Sequence, residues 1–162
     1  MTSRIERAIA CHAQQYNCAQ AVFSTYAPSL GISEIDSLKV SAAFGGGMGR
    51  LQEVCGAVTG AFVLIGCKYG MVKPGEVEAK EETYSRVKDF ARRFTGVHGT
   101  ISCRTLLGCD LNTTEGKALY TENDLANTVC NRCIRTACAI IEETVMEEGN
   151  RNHGRNSTRS RP

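Results

Sequence analysis

The sequence predicts an all-α fold, a compact bundle of six to eight helices packed around a central helix that is rich in small residues. Helix caps and glycine stops recur along the chain, and the apolar residues between them repeat at helical spacing. One segment in the middle is apolar on nearly all sides, which is typical of a buried helix. A chain of 162 residues can bury a hydrophobic core without support from disulfides or metals.

The first three helices are predicted from their capping residues. Ser3 caps the first helix, and Asn17 opens a short second helix that ends before Pro28. Ser33 begins a third helix that continues to Phe44. Each of these polar side chains can accept a hydrogen bond from a free N–H in the first helical turn.

A glycine-rich turn, residues 45–49, leads into the central helix, which we expect over residues 51–69. This helix contains three glycines, Gly56, Gly60 and Gly66. Because glycine is a poor helix former, close packing of another element against the helix is the physical reason we offer for them. A parallel strand over residues 61–65 stays open as the alternative, since short apolar runs fit either structure.

The second half of the chain predicts four more helices. The clearest covers residues 75–94, with acidic side chains in its first turns and basic ones in its last, as the helix dipole favours. A short helix follows at Cys103–Leu107, and another begins at Thr113 or Thr114. The last is capped by Asp124 and extends to about residue 146.

Charge separates the C-terminal tail from the rest of the chain. Residues 150–162 hold four of the 19 basic residues and no acidic one, which leaves 15 basic and 17 acidic residues in residues 1–149. We therefore expect residues 1–149 to form one helical domain and residues 150–162 a disordered Arg-rich tail, with a weak nucleic-acid or anion arm as the alternative. The domain has no basic bias, so we expect no nucleic-acid partner. The longest apolar run, residues 61–65, is too short to cross a membrane.

Nine cysteines are the most informative feature for function. The N-terminal residues lack the continuous apolar core of a signal peptide, so we expect a cytoplasmic protein. In that reducing compartment, clustered cysteines more often bind metal or carry out redox chemistry than form structural disulfides. The odd count leaves at least one thiol free or bonded between chains, so a homodimer stays open.

Two cysteines lie at predicted helix N-termini. Cys55 begins the central helix, where free N–H groups and the helix dipole favour the thiolate, and Cys18 has the matching place after Asn17. The glycine turn before Cys55 lacks the lysine of a phosphate loop and the spacing of a dinucleotide site. Its glycines, including Gly46 and Gly47, end a helix and can also leave room for an inorganic cluster.

The remaining cysteine motifs lie near the C-terminus. Cys103 and Cys109 bracket a helical turn, and Gly108 can reverse the chain to bring both thiols toward one point. Cys130 and Cys133 form a C-x-x-C pair on one face of the last helix. No histidine follows this pair and no second pair exists, so the sites of covalent haem and of a zinc ribbon are not indicated.

Three other residues are interpreted as structural. Cys11 and Cys67 fall within helical apolar patterns and are predicted to be small core hydrophobes. His12 has no partner at a metal-ligand spacing, so we interpret it as an ordinary helix residue.

Several of these segments together resemble the C_GCAxxG_C_C family, redox-active proteins of anaerobic bacteria and archaea. The resemblance covers about residues 5–145 and is carried by NCAQAV (17–22), FGGGMG (44–49), CGAVTGA (55–61), LIGCKYG (64–70), CRTLLGC (103–109) and Cys130. It implies redox activity. The positions that match the family's cysteines are Cys18, Cys55, Cys103, Cys109 and Cys130, whereas Cys133 and Cys138 lie outside the resemblance.

The first functional hypothesis is a redox protein with an iron–sulfur cluster for electron transfer, since a cluster needs about four thiolates. Its expected ligands are Cys18, Cys55, Cys103, Cys109 and Cys130, with Gly46 and Gly47 beside the cofactor. The expected partner is an electron-transfer protein or a small-molecule redox partner.

Two alternatives stay open, and with them the question of whether the protein is an enzyme. One is a cluster-free thiol–disulfide oxidoreductase or redox sensor whose reactive thiols are Cys55, Cys103, Cys109 and Cys130. In it, Cys55 has Cys109 or Cys130 as its resolving partner. The other is a non-catalytic helical subunit that binds structural zinc through its thiols.

Overall fold

The computed structural model describes residues 2–146, and within them the chain is helical and contains no β-strand. The eight helices are α1 (Arg4–Ala13), α2 (Cys18–Tyr26), α3 (Glu34–Ser41), α4 (Gly56–Tyr69), α5 (Val77–His98), α6 (Cys103–Leu107), α7 (Thr114–Glu122) and α8 (Asn131–Ile141). The all-α prediction is confirmed, and the strand alternative for residues 61–65 is wrong because they lie in α4. The predicted Arg-rich tail lies outside the described residues.

The caps of the first three helices form as predicted. The hydroxyls of Ser3 and Ser33 accept hydrogen bonds from backbone N–H groups three residues on, at 3.2 and 3.1 Å. Asn17 and Gln20 form a reciprocal capping box, each side chain accepting from the other's backbone N–H at 3.0 Å. This box sets the start of α2 and so the place of Cys18.

The core lies where α2, α4, α5 and α8 meet. Its largest buried side chains are Phe23, Tyr26, Leu64, Ile65, Phe90, Phe94, Ile134 and Ile141. Complete burial of one such leucine or phenylalanine side chain contributes about 1.5–3 kcal/mol. Helix α4 is buried on most of its surface, as the sequence predicts for the central helix.

Two glycines of α4 allow α2 to pack closely against it. A Cβ atom at Gly60 would stand 2.8 Å from the carbonyl oxygen of Ala19, and one at Gly56 would stand 3.1 Å from the nitrogen of Ala19. The expected close approach is therefore confirmed for these two residues. It does not hold for Gly66, where a Cβ atom would meet nothing within 4 Å.

The residues directly before α4 are not helical, so the prediction that this helix starts at residue 51 is wrong. Val54 forms an isolated antiparallel bridge with Ser102, and the N–H of Cys55 donates to the carbonyl of Ile101 at 2.8 Å. This pairing with a distant segment satisfies backbone groups that a helix would satisfy locally. It also brings the starts of α4 and α6 together, and with them Cys55 and Cys103.

The last helix begins differently from its prediction. Asp124 does not cap it: its φ is +48°, and its carboxylate accepts hydrogen bonds from the Asn127 side chain at 2.9 and 3.0 Å. A π-helical turn, Ala126–Cys130, then leads into α8. Turns of this kind are frequent at functional sites, and this one contains Cys130.

None of the helices within residues 2–146 has both the length and the apolar character that a membrane span requires.

Candidate functional site

A cavity of about 950 Å³ lies between the glycine turn and helices α2, α4, α6, α7 and α8. The cysteines that line it are Cys18, Cys55, Cys103, Cys130 and Cys133. All nine cysteines are free thiols in the structure. The cavity thus collects sulfurs from opposite ends of the chain, on the side of the molecule where α2, α4 and α6 begin.

Cys55 is the N-cap residue of α4 and is 5% exposed. Hydrogen bonding with the Cys133 side chain is the largest effect on the pKa of Cys55, which it lowers, and the backbone N–H groups of Ala57 and Val58 act in the same direction. Burial opposes the ionisation of Cys55 but does not outweigh these effects. The same contact raises the pKa of Cys133, which is 1% exposed and stays a thiol.

Cys18 and Cys130 form a second pair closer to the surface, and both residues are partly exposed. The hydroxyl oxygen of Tyr120 lies 3.8 Å from the sulfur of Cys130. Hydrogen bonding with Cys18 and, to a smaller extent, with Tyr120 lowers the pKa of Cys130, although burial opposes this. The pKa of Cys18 is raised, first by this pairing and then by burial. The pKa of Cys18 thus moves in the direction opposite to the one that its helix N-terminus favours.

His12 lies against the site, although the sequence indicates only an ordinary helix residue. Its Nε2 atom is 3.9 Å from the sulfur of Cys18, and its Nδ1 atom is 2.8 Å from Oδ1 of Asn131. The amide of Asn131 donates to Asn127 and so presents its oxygen to the ring. In neutral His12, Nδ1 is thus the donor to Asn131, and Nε2 can accept the Cys18 proton.

Cys103, at the start of α6, is held against the glycine turn. A Cβ atom at Gly47 would stand 2.6 Å from the Cβ of Cys103, and Gly47 has a φ of +66°, so both space and conformation call for glycine. Gly46 and Gly47 also line the cavity. Burial, followed by the charges of neighbouring thiolates, raises the pKa of Cys103 to about 12.

Cys109 does not line the cavity. It packs with Cys103 and Leu107 in a small apolar cluster, and its carbonyl accepts a hydrogen bond from the side chain of Gln52 at 2.9 Å. The oxygen of the same amide accepts from the N–H of Leu111 at 2.8 Å. Gln52 is 2% exposed and fixes the loop after α6. The sequence analysis missed this residue because its contacts are with a segment far along the chain.

Residues 16–144 match the family C_GCAxxG_C_C, described as "Putative redox-active protein". This chain belongs to the C_GCAxxG_C_C family. No curated protein and no solved structure matches it. Family membership gives redox activity as the class of chemistry, and the region matched to C_GCAxxG_C_C contains every cysteine of the cavity.

Cys133 lines the cavity, whereas the sequence places it outside the site because it matches none of the cysteines of the C_GCAxxG_C_C family. The signal that could have found it is the C-x-x-C spacing, which places it on the same helix face as Cys130. Cys138 lies outside the cavity, buried beside Tyr26. Cys67 is exposed, so its prediction as a core residue is wrong.

The sulfurs of the C_GCAxxG_C_C site suit a metal in their chemistry but not in their arrangement. Thiolates are the ligands of iron–sulfur clusters and of many zinc sites. Within residues 2–146, however, no three His, Cys, Asp or Glu side chains are grouped as ligands of a metal ion. Four of the cavity thiols instead influence one another's ionisation in two pairs, Cys18 with Cys130 and Cys55 with Cys133.

Proposed function

We propose that this protein exchanges electrons with its partner through thiol–disulfide chemistry at two cysteine pairs, Cys18–Cys130 and Cys55–Cys133. The observation that carries the proposal is that both pairs line one cavity and that, within each pair, one cysteine has a lowered pKa and the other a raised one because of its partner. Two neighbouring thiols can be oxidised to a disulfide. The family's redox activity agrees with this chemistry.

The outer pair, Cys18–Cys130, meets the partner because its residues are the more exposed. The thiolate of Cys130 attacks one sulfur of a partner disulfide, which forms a mixed disulfide and releases the first partner thiol after it takes a proton. Cys18, having lost its proton to His12 or to water, then attacks the sulfur of Cys130. This step forms the Cys18–Cys130 disulfide, releases the second partner thiol and completes the transfer of two electrons to the partner.

The inner pair, Cys55–Cys133, restores the outer one by the same reaction. The Cys55 thiolate attacks the Cys18–Cys130 disulfide and forms a disulfide with one of these two cysteines. Cys133 then attacks the sulfur of Cys55, which leaves Cys18 and Cys130 as thiols and Cys55–Cys133 as the disulfide. The two pairs are close enough for charge on Cys130 to raise the pKa of Cys55. The proposed pair Cys18–Cys130 differs from the sequence-based expectation, in which Cys55 forms its disulfide with Cys109 or Cys130.

Controlled oxidation tests the proposal. The reduced protein is titrated with a small disulfide without oxygen, and its bonds are mapped by mass spectrometry. We expect Cys18–Cys130 to form first and Cys55–Cys133 second, while Cys11 and Cys138 stay thiols. Failure of the cavity cysteines to form either bond, or full exchange activity in a Cys130→Ser variant, would contradict the proposal.

An iron–sulfur centre is the second candidate function, favoured by the meeting of five sulfurs from separate segments on one cavity. Cys18, Cys55, Cys103 and Cys130 are the residues that would hold a cluster, beside Gly46 and Gly47. A bound cluster supplies one-electron transfer. Cys109, expected among the ligands from the sequence, does not line the cavity but packs with Cys103.

Metal analysis separates the two candidates. The protein is purified without oxygen, its visible absorbance is recorded, and iron, acid-labile sulfide and zinc are assayed. Iron and sulfide bound in equal amounts, and lost in a Cys103→Ser variant, favour the cluster. A colourless protein that holds no iron after attempted reconstitution excludes it, and stoichiometric zinc alone would favour the structural-zinc alternative.

A further inference from the structure

The cysteine cavity is lined by cations and by no carboxylate. Its lining contains one arginine, Arg50, and one lysine, Lys117. No Asp or Glu of the described chain lines it. Neither cation forms an ion pair with another described residue. Both are exposed residues, so their charges stand at the rim of the cavity and act on whatever enters it.

The two cations come from different walls of the cavity. Arg50 follows the glycine turn, and its Cγ atom would lie 3.0 Å from a Cβ atom at Gly46, so its side chain crosses that glycine. Lys117 is on α7, one helical turn before Tyr120, which contacts the sulfur of Cys130. Positive charge therefore flanks the path to Cys130 from two directions.

The volume of the cavity limits the size of the ligand that these two cations can bind. A volume of about 950 Å³ lies within the range of small-molecule sites, about 300–1,000 Å³. The outer cysteines, which are partly exposed, lie on the lining of this space. A low-molecular-weight compound fits such a site better than the surface of a folded protein partner.

We infer that the substrate of the cavity is a small anionic disulfide or its thiol, an organic molecule that carries carboxylate or phosphate groups bound by Arg50 and Lys117. This substrate class rests on the proposed thiol–disulfide function. The reaction is the exchange already described, in which Cys130 forms the mixed disulfide, Cys18 displaces the second thiol and two electrons pass to the substrate. The cations offset the repulsion between an anionic substrate and the Cys130 thiolate.

Three small disulfides of different charge test the inference: dithiodipropionate, which is dianionic, hydroxyethyl disulfide, which is neutral, and cystamine, which is dicationic. The rate of oxidation of the reduced protein is measured with each at low and high salt. We expect dithiodipropionate to react about tenfold faster than the neutral compound at low salt, and cystamine to react slowest. Salt should reduce the difference because it screens exposed charges.

A double variant, Arg50→Gln/Lys117→Gln, should bring the rates of the anionic and neutral compounds together. The matched control is Lys73→Gln/Lys88→Gln, which removes the same charge from exposed residues outside the cavity lining and should keep the preference. Equal rates for all three compounds in the wild type, or an equal loss of preference in the control, would overturn the anion site while leaving the exchange function intact.

A non-reducible analogue distinguishes failure of the inference from failure of the proposed function. If none of the disulfides reacts, the exchange function is wrong, and thiodipropionate then tests the anion site alone. We expect this dicarboxylate to slow the alkylation of Cys130 by neutral iodoacetamide in the wild type and not in the double variant. Absence of protection in the wild type would overturn the site.

Discussion

Cys133 in α8 and Cys55 at the start of α4 line the same cavity and shift each other's pKa in opposite directions. Hydrogen bonding between the two side chains lowers the pKa of Cys55 and raises that of Cys133. A buried pair of this kind keeps one proton over a wide pH range, and its two titration steps belong to the pair. The site therefore stores a thiolate and its resolving thiol side by side, away from solvent.

The first prediction concerns this bond. Replacing Cys133 by alanine removes the S–H donor, so the pKa of Cys55 rises and its thiolate fraction at neutral pH falls. We expect Cys55 in the Cys133→Ala variant to be alkylated more slowly than in the wild type at pH 7, with the two rates converging at high pH. Peptide mass spectrometry after timed labelling with iodoacetamide measures both rates.

Cys138→Ala is the control for that variant. It also removes a buried sulfur from α8, but Cys138 lies beside Tyr26 and outside the cavity. Cys55 should keep its wild-type labelling rate in this protein. If both variants slow the labelling of Cys55 equally, the effect comes from loosened packing of α8 and the hydrogen bond has no special role.

The second prediction compares two glycines of the same helix. Gly60→Ala places a methyl group 2.8 Å from the carbonyl oxygen of Ala19, and such overpacking costs about 1–3 kcal/mol. Gly66→Ala meets nothing within 4 Å and should stabilise the helix by about 0.5–1 kcal/mol. Urea unfolding followed by circular dichroism measures both changes. Equal effects of the two substitutions would show that α2 does not pack against Gly60 as described.

The helices were predictable where their signals are local. The caps of Ser3, Asn17 and Ser33 form with residues three positions on, so the sequence around each one contains the whole interaction. The extended segment around Val54 could not be found in this way. Its conformation depends on Ser102, and a local pattern of apolar residues carries no information about that distant partner.

The same distinction applies to the site. Cys55 and Cys18 were found because each stands at a helix N-terminus that the sequence marks. Cys133 and His12 were assigned no role, since their importance comes from tertiary contacts with Cys55 and Cys18. Cys109 was included because its spacing to Cys103 suggested one shared site; the two cysteines do pack in one cluster, but only Cys103 lines the cavity.

The third prediction tests the residue that fixes that loop. Gln52→Leu leaves the carbonyl of Cys109 and the N–H of Leu111 without their side-chain partner, and each such buried group costs about 1–3 kcal/mol. We expect lower stability in urea and faster labelling of Cys109. Gln14→Leu is the control, because Gln14 is an exposed residue, and its effect should stay within about 0.5 kcal/mol. Unchanged labelling of Cys109 in Gln52→Leu would mean that other contacts hold the loop.

The final prediction concerns the order in which the thiols are alkylated at pH 7, which we expect to differ from the order of their exposure. The pKa of Cys130 is lowered by its hydrogen bonds, whereas burial raises that of Cys67, the most exposed of the cysteines, and that of Cys11. A lowered pKa means that the thiolate persists as the pH falls below the ordinary thiol value of about 8.5. Cys130 should therefore react with iodoacetamide before Cys67 at pH 7, by about tenfold for each unit between their pKa values.

The order of the alkylation rates of Cys130 and Cys67 should reverse as the pH rises. Above about pH 9 the ordinary thiols also ionise, so Cys67 should overtake Cys130 because it is the more exposed. Cys11, partly exposed like Cys130 but with a raised pKa, serves as the control for access. Replacing Cys18 by alanine should move the profile of Cys130 toward higher pH, since one of its two hydrogen-bond donors is gone. If Cys67 is labelled faster than Cys130 at every pH, Cys130 is not held as a thiolate, and the outer pair loses its assigned role as the first to meet the partner.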